Sequence, residues 1–270
     1  MNNFVKRSLS GAIFVILVVG SILLGQTTFA LFFTIICGWS VLEFHKLTND
    51  QPDFKANYRL SISSAVLLFA CSFIDASGIV HFPVFSLYGL FFILVVISEL
   101  FLKKQNPVHN WAYFVLGQIF IALPFSMLNY IIFIHGFQPL ILLAVFVTIW
   151  VNDTGAYLVG ITLGKHRLFE RISPKKSWEG FFGGAFFALI SGYIFSLIIK
   201  DISLINWLIF SEIIVIFGTF GDLTESLLKR TLNVKDSGNV IPGHGGLLDR
   251  FDSMLLAAPA VYIFLSILYS

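Results

Sequence analysis

Residues 139–163 read PLILLAVFVTIWVNDTGAYLVGITL, 25 residues with one formal charge, Asp153. A helix crossing a bilayer needs about 20 mostly apolar residues, because roughly 30 Å of hydrocarbon is spanned at 1.5 Å per residue. Backbone amides in lipid must bond within their own segment, so an apolar run of this length has to be helical. The same reading extends outward in both directions. It predicts nine spans, at about 9–25, 28–44, 60–76, 83–102, 111–134, 139–163, 180–199, 204–228 and 253–269. Composition agrees: 57% of the 270 residues are hydrophobic and 12% charged, against roughly 45–50% and about a quarter in ordinary globular domains. A soluble domain of this size could not hide so much apolar surface. The expectation is therefore an all-α, polytopic integral membrane protein, neither a soluble enzyme nor a nucleic-acid binder.

The distribution of basic residues tests the count. Lys6 and Arg7, then Lys46, Lys55 and Arg59, then Lys103 and Lys104 fall on one face. So do Lys165, Arg167, Arg171, Lys175, Lys176, Lys229, Arg230, Lys235 and Arg250, leaving Lys200 alone on the other. Basic residues favour the cytoplasmic side, which places the N-terminus inside and the C-terminus outside. A signal peptide in place of the first span would keep the same face cytoplasmic. Pro124 is expected to bend the fifth span and Pro259 the ninth. Cys37 and Cys71 lie in apolar runs and read as small apolar residues. The chain divides into a four-span region, 1–110, and a catalytic region, 111–270, whose polar sequence concentrates in connections 164–179 and 229–252.

A carboxylate such as Asp153 is costly inside a span, about 2.5–3.5 kcal/mol at the centre on insertion scales, so it usually lines a polar cavity. In the eighth span Asp222, Glu225, Ser226 and Lys229 recur at i, i+3, i+4 and i+7, one stripe of the helix. Glu225 with Lys229 is also a good structural i,i+4 pair, whereas the deeper Asp222 needs another explanation. Glu212 reads as packing. The next connection holds Lys235-Asp236-Ser237-Gly238, Pro242-Gly243-His244-Gly245-Gly246 and Asp249-Arg250-Phe251-Asp252. Glycines let backbone N–H groups surround a phosphate, and a helix start just beyond favours it further. Carboxylates beside such a nest call for a divalent cation, and magnesium suits one or two carboxylates plus substrate phosphates. The other connection, Ser173-Pro174-Lys175-Lys176-Ser177-Trp178-Glu179-Gly180, offers two lysines to a polyphosphate or to anionic lipid headgroups.

From Ser226 to Asp252, together with Asn152-Asp153-Thr154-Gly155-Ala156-Tyr157 and Ser173–Gly180, the sequence resembles phosphatidate cytidylyltransferases (CDP-diacylglycerol synthases) of the bacterial type. The resemblance implies that CTP and phosphatidate give CDP-diacylglycerol and pyrophosphate at a magnesium-dependent centre of a multi-pass cell-membrane protein. It implies a homodimer, Asp222 and Asp249 as metal ligands, and a potassium ion beside the magnesium. Lys229, Arg230, Lys235, Asp236 and Arg250 join the two aspartates as candidate catalytic residues. Lys175, Lys176, Glu179, Ser226, Gly243, His244, Gly245, Gly246 and Asp153 are candidate substrate contacts. Two other readings explain parts of the pattern: a CTP-dependent polyprenol or phytol kinase, and a transporter using Asp153, Glu212 and Asp222.

Overall fold

The computed structural model describes residues 3–49, 56–102, 106–238, 240 and 245–270. The first helices are α1 (Asn3–Leu23), α2 (Gln26–Asn49), α3 (Tyr58–Ser77), α4 (Phe85–Phe101), α5 (Pro107–Gly117) and α6 (Leu123–Ile132). Next come α7 (Pro139–Leu163), strands β1 (Arg167–Phe169) and β2 (Ser173–Ser177), α8 (Trp178–Ile198), α9 (Leu204–Thr231), α10 (Leu248–Phe251) and α11 (Met254–Leu268). The architecture is that of an all-α membrane protein. Among the described residues seven helical stretches are long and apolar enough to cross a bilayer. Two further apolar helices, Ser8–Leu23 and Phe85–Phe101, are shorter. Seventeen residues rise roughly 25 Å, less than the full hydrocarbon thickness of about 30 Å. The nine apolar helices fall where nine spans were expected, and seven of them meet both the length and the hydropathy of a complete crossing among the described residues.

Local chemistry sets the breaks. Gly25 adopts φ +124 between α1 and α2, a conformation that favours glycine. Asn57 caps α3 by accepting from Leu60 N at 3.4 Å, and Gly78 closes it in the left-handed region. Prolines at the first turns of α5 and α7 start helices where an N–H would be unsatisfied anyway. The expected disturbance at Pro124 takes the form of a π turn over Gln118–Ala122, with Leu123 N–H reaching Gln118 O. Proline cannot donate to the ladder, and the wider turn absorbs that defect. Pro259 lies inside α11, which runs unbroken past it.

The chain forms two compact units, one of Met1–Phe137 with Leu232–Phe251, the other of Gln138–Thr231 with Asp252–Ser270. Residue 110, the boundary expected from the sequence, falls inside the first unit between α4 and α6. The connection after α9 returns to that unit because Phe251 is buried among Phe14, Phe33 and Phe125, with ring centroids 5.4, 6.3 and 5.3 Å away. Aromatic contacts of this kind add to simple area burial.

In the second unit α7 and α8 approach closely through small residues. A Cβ on Gly184 would meet Asn152 Oδ1, with Asn152 O at 2.8 Å and Ala156 Cβ at 3.1 Å. One on Gly155 would meet the Phe187 ring. Gly160 has only ordinary contact space, its nearest atom being Ser177 Oγ at 3.6 Å. Gly184→Val should therefore lower stability by about 1–3 kcal/mol through overpacking, read as a reduced melting temperature in detergent, while Gly160→Ala leaves it unchanged. An equal shift for both would refute this packing account.

The connection 164–179, expected as a loop, is instead an antiparallel hairpin pairing Arg167 with Ser177 and Phe169 with Ser173. Nothing in the polar run SPKKS alternates as an amphipathic strand would. What holds the hairpin lies in its flank. Glu179 accepts from Lys165 N at 3.0 Å and His166 N at 3.2 Å and contacts His166 Nδ1 at 2.6 Å. Trp178 N also donates to His166 O at 2.9 Å.

Candidate active site

The second unit contains a cavity of about 260 Å³. Its walls come from one stretch of each surrounding element. α7 supplies Asn152, Asp153 and Tyr157, the hairpin supplies Lys175, Lys176 and Ser177, and α9 supplies Asp222. Ser177 serves two purposes, because its Oγ also caps α8 by accepting from Gly180 N at 3.1 Å. That cap fixes the end of β2 to the start of a membrane helix, so the adjacent lysines are held at the cavity.

Asp222 is the centre of the arrangement. Its Oδ2 lies 2.5 Å from Lys176 Nζ, and both side chains are 28% exposed. Ser226 Oγ donates to Asp222 Oδ1 at 3.1 Å, as the i,i+4 stripe predicts. One turn further, Glu225 and Lys229 form the expected ion pair at 2.5 Å, with side chains 0% and 10% exposed. Lys229 thus faces a buried carboxylate of its own helix. Asp252, at the start of the last span, lies within electrostatic range of Asp222, Glu225 and Asp153.

Of the other expected contacts, Lys175, Lys176 and Asp153 line the cavity and Glu179 does not. Glu179 is engaged with the backbone of Lys165 and His166, as described above. Arg230 is exposed at the end of α9.

The connection 232–251 belongs to the first unit and is built around two carboxylates. Asp249 accepts from Ser237 N at 2.9 Å and from Gly246 N at 2.8 Å. Gly245 adopts φ +83, and a Cβ there would sit 2.7 Å from Asp249 Oδ2. Gly246, one of the glycines expected to surround a phosphate, thus turns its backbone amide onto this carboxylate. Lys235, Asp236 and Arg250 are exposed around it. Gly243 and His244 lie outside the described residues.

The second carboxylate, Glu43 of α2, was not among the residues singled out from the sequence. It is 2% exposed and accepts from Leu247 N at 3.0 Å, Leu248 N at 2.8 Å and Ser237 Oγ at 3.1 Å. The signal was present as an acid in the last turns of an apolar run, in GWSVLEFHKL at 38–47.

Among the described residues no three His, Cys, Asp or Glu side chains gather as a metal cage. Magnesium does not require one, since it keeps several waters and binds through one or two carboxylates and substrate phosphates. Asp222 suits that mode, having a lysine ammonium on one oxygen and a face on the cavity. Asp249 already accepts two backbone amides.

Helices and cavity together define a polytopic membrane protein with acidic and basic side chains lining a cavity among apolar helices. The sequence model of the cytidylyltransferase family matches residues 5–268, and the chain belongs to that family. It is 40% identical over 201 residues to a phosphatidate cytidylyltransferase of Bacillus subtilis, covering 73% of this chain and 72% of that protein. Proteins of the same name from Staphylococcus saprophyticus and Staphylococcus haemolyticus are 46% and 47% identical over 126 residues, 46% of this chain and 48% of theirs.

Proposed function

We propose that this chain transfers the cytidylyl group of CTP to phosphatidate, giving CDP-diacylglycerol and pyrophosphate for phospholipid synthesis. Membership of the cytidylyltransferase family supports the reaction class, and the relatives' name supports the lipid acceptor. The observation that carries the reading is the Lys176–Asp222 pair on the wall of a cavity lined by three membrane helices and a hairpin. A site for a nucleotide and a lipid headgroup needs cations for phosphate and access to the bilayer, and two lysines beside apolar helices support that reading.

An oxygen of the phosphatidate phosphate attacks the α-phosphorus of CTP, and the bond to the β-phosphate breaks as pyrophosphate leaves. A phosphomonoester has its second pKa near 6, so the attacking group is mostly dianionic at neutral pH. No side chain is needed to remove a proton. The obstacle is repulsion between two polyanions, and catalysis consists of neutralising and aligning them. Lys175 and Lys176 hold phosphate oxygens, with Asp153 and Asn152 shaping the wall opposite. Asp222 and Asp249 are the proposed magnesium ligands, each argued from its own surroundings. When bound, the ion would offset charge on the triphosphate and the leaving pyrophosphate. Lys229, Arg230, Lys235, Asp236 and Arg250 complete the set of charged groups assigned to the reaction.

The proposed topology has nine crossings, the N-terminus and the hairpin in the cytoplasm, and the C-terminus outside. The proposed assembly is a homodimer. Cysteine introduced at Arg171 on the hairpin or at Lys200 between α8 and α9 tests the topology. A membrane-impermeant thiol reagent added to intact cells should label the Lys200→Cys variant and spare the Arg171→Cys variant. Labelling of both to the same extent would refute it. Purified protein with CTP and phosphatidate tests the reaction. Label from the α-phosphate should enter lipid and label from the γ-phosphate should not. The reverse pattern would mean phosphoryl transfer, and chelation that leaves the rate unchanged would remove magnesium from the account.

A further inference from the structure

Glu43 stands almost 200 residues from the connection it touches, on a helix that carries none of the residues assigned to the reaction. Its carboxylate is nearly inaccessible to water, yet it accepts two backbone amides and one hydroxyl, all from 237–248. A buried carboxylate without such partners would be strongly unfavourable, whereas charge-assisted hydrogen bonds of this kind are among the stronger ones. The connection in turn is shaped to reach it. A Cβ on Gly246 would lie 2.6 Å from Glu43 Oε2, and one on Gly238 would lie 2.8 Å from Glu43 Oε1. Both glycines are therefore needed for the backbone to close over this side chain.

Asp249 completes the arrangement from the other side. Ser237 offers its hydroxyl to Glu43 and its amide to Asp249, while Gly246 donates to Asp249 and Leu247 donates to Glu43. The two carboxylates thus hold neighbouring amides of one backbone segment. We infer that Glu43 is a positioning residue for cytidylyl transfer: it anchors the glycine-rich connection so that Asp249, Lys235 and Arg250 are presented in fixed geometry. The inference rests on the proposed reaction, because only that reading gives the connection a substrate to meet.

Glutamine at this position keeps the volume but turns one donor toward another, since Oε1 and Oε2 accept from different groups. Alanine removes all three bonds. Purified Glu43→Gln and Glu43→Ala enzymes, corrected for the folded fraction by size exclusion and thermal melting, are compared with wild type for kcat and KM with CTP and phosphatidate. The expected kcat falls by about 10- to 100-fold, more for alanine than for glutamine, as for other residues that orient a reacting group. Trypsin cleavage at the exposed Lys235, followed without substrate, should accelerate in the same order.

A loss of activity only in proportion to folded protein lost would assign Glu43 to stability alone and overturn the inference. So would a Glu43→Gln enzyme with wild-type kcat and wild-type cleavage. If the alanine variant does not fold, the glutamine variant decides. Failure of wild-type enzyme to make CDP-diacylglycerol would instead overturn the reaction, and the cleavage rates would still report whether Glu43 holds the connection.

Discussion

Asp222→Asn is expected to lower kcat by at least about 1,000-fold, a loss of roughly 4 kcal/mol of transition-state stabilisation, while leaving the protein folded. The substitution removes the charge and sets an amide NH2 in place of the oxygen that faces Lys176. Asparagine occupies the same volume, and its carbonyl can still accept the Ser226 hydroxyl now 3.1 Å from Oδ1. What disappears is the negative partner of Lys176 and the carboxylate proposed for magnesium. With side chains 28% exposed on both members, the ion pair is screened by water, and its direct contribution to stability is small. The melting temperature should therefore move little. Ser226→Ala, which removes one neutral donor, should cost only a few-fold in kcat, in keeping with a hydrogen bond worth about 1 kcal/mol. Steady-state assays over a magnesium titration give the measurement. Asp222→Asn at near-normal rate would remove the metal assignment and leave Asp222 as a partner for Lys176 only.

The sequence makes the helices legible because a bilayer imposes a coarse rule, and each run of apolar residues obeys it independently of the rest. The stripe from Asp222 to Lys229 was legible for the same reason: helical periodicity fixes which side chains share a face, and the Asp222–Ser226 and Glu225–Lys229 contacts follow from it. Contacts between distant segments were not. Glu43 reads as one acid near the end of a span, and nothing local shows that its partners lie at 237–248. The hairpin escaped notice because its strands are polar and short, and the groups that stabilise it belong to Glu179 beyond its end. Pro124 was read as a bend, whereas a π turn upstream accommodates it. Phe251 carries a late segment back among early helices, a long-range packing choice with no local signature. Seven of the apolar helices have the length and hydropathy of a crossing, and α4, at 17 residues, lies at the short end of the range that can span.

Asp249→Asn and Asp249→Ala separate two roles that one carboxylate holds at once. In the resting protein Oδ2 accepts both short bonds, from Gly246 N at 2.8 Å and Ser237 N at 2.9 Å, while Oδ1 has a longer contact of 3.2 Å with Ser237 N. An asparagine carbonyl in the place of Oδ2 therefore preserves both short bonds, and only the weaker contact meets an unfavourable donor. The connection should keep its shape, with trypsin cleavage at Lys235 close to that of wild type. If Asp249 holds magnesium, activity nonetheless falls by at least about 1,000-fold, because several kcal/mol of charge stabilisation depends on the ion. Alanine removes acceptor and charge together, so both activity and resistance to cleavage should be lost. The informative outcome is the asparagine enzyme: intact by cleavage and inactive by assay supports a ligand, whereas intact and active means that Asp249 serves the backbone alone. Glu43→Gln differs from it in kind. Glu43 is assigned no metal, so its defect must scale with loosening of the connection, and a Glu43 variant that is inactive with an undisturbed connection would contradict the division of labour between the two carboxylates.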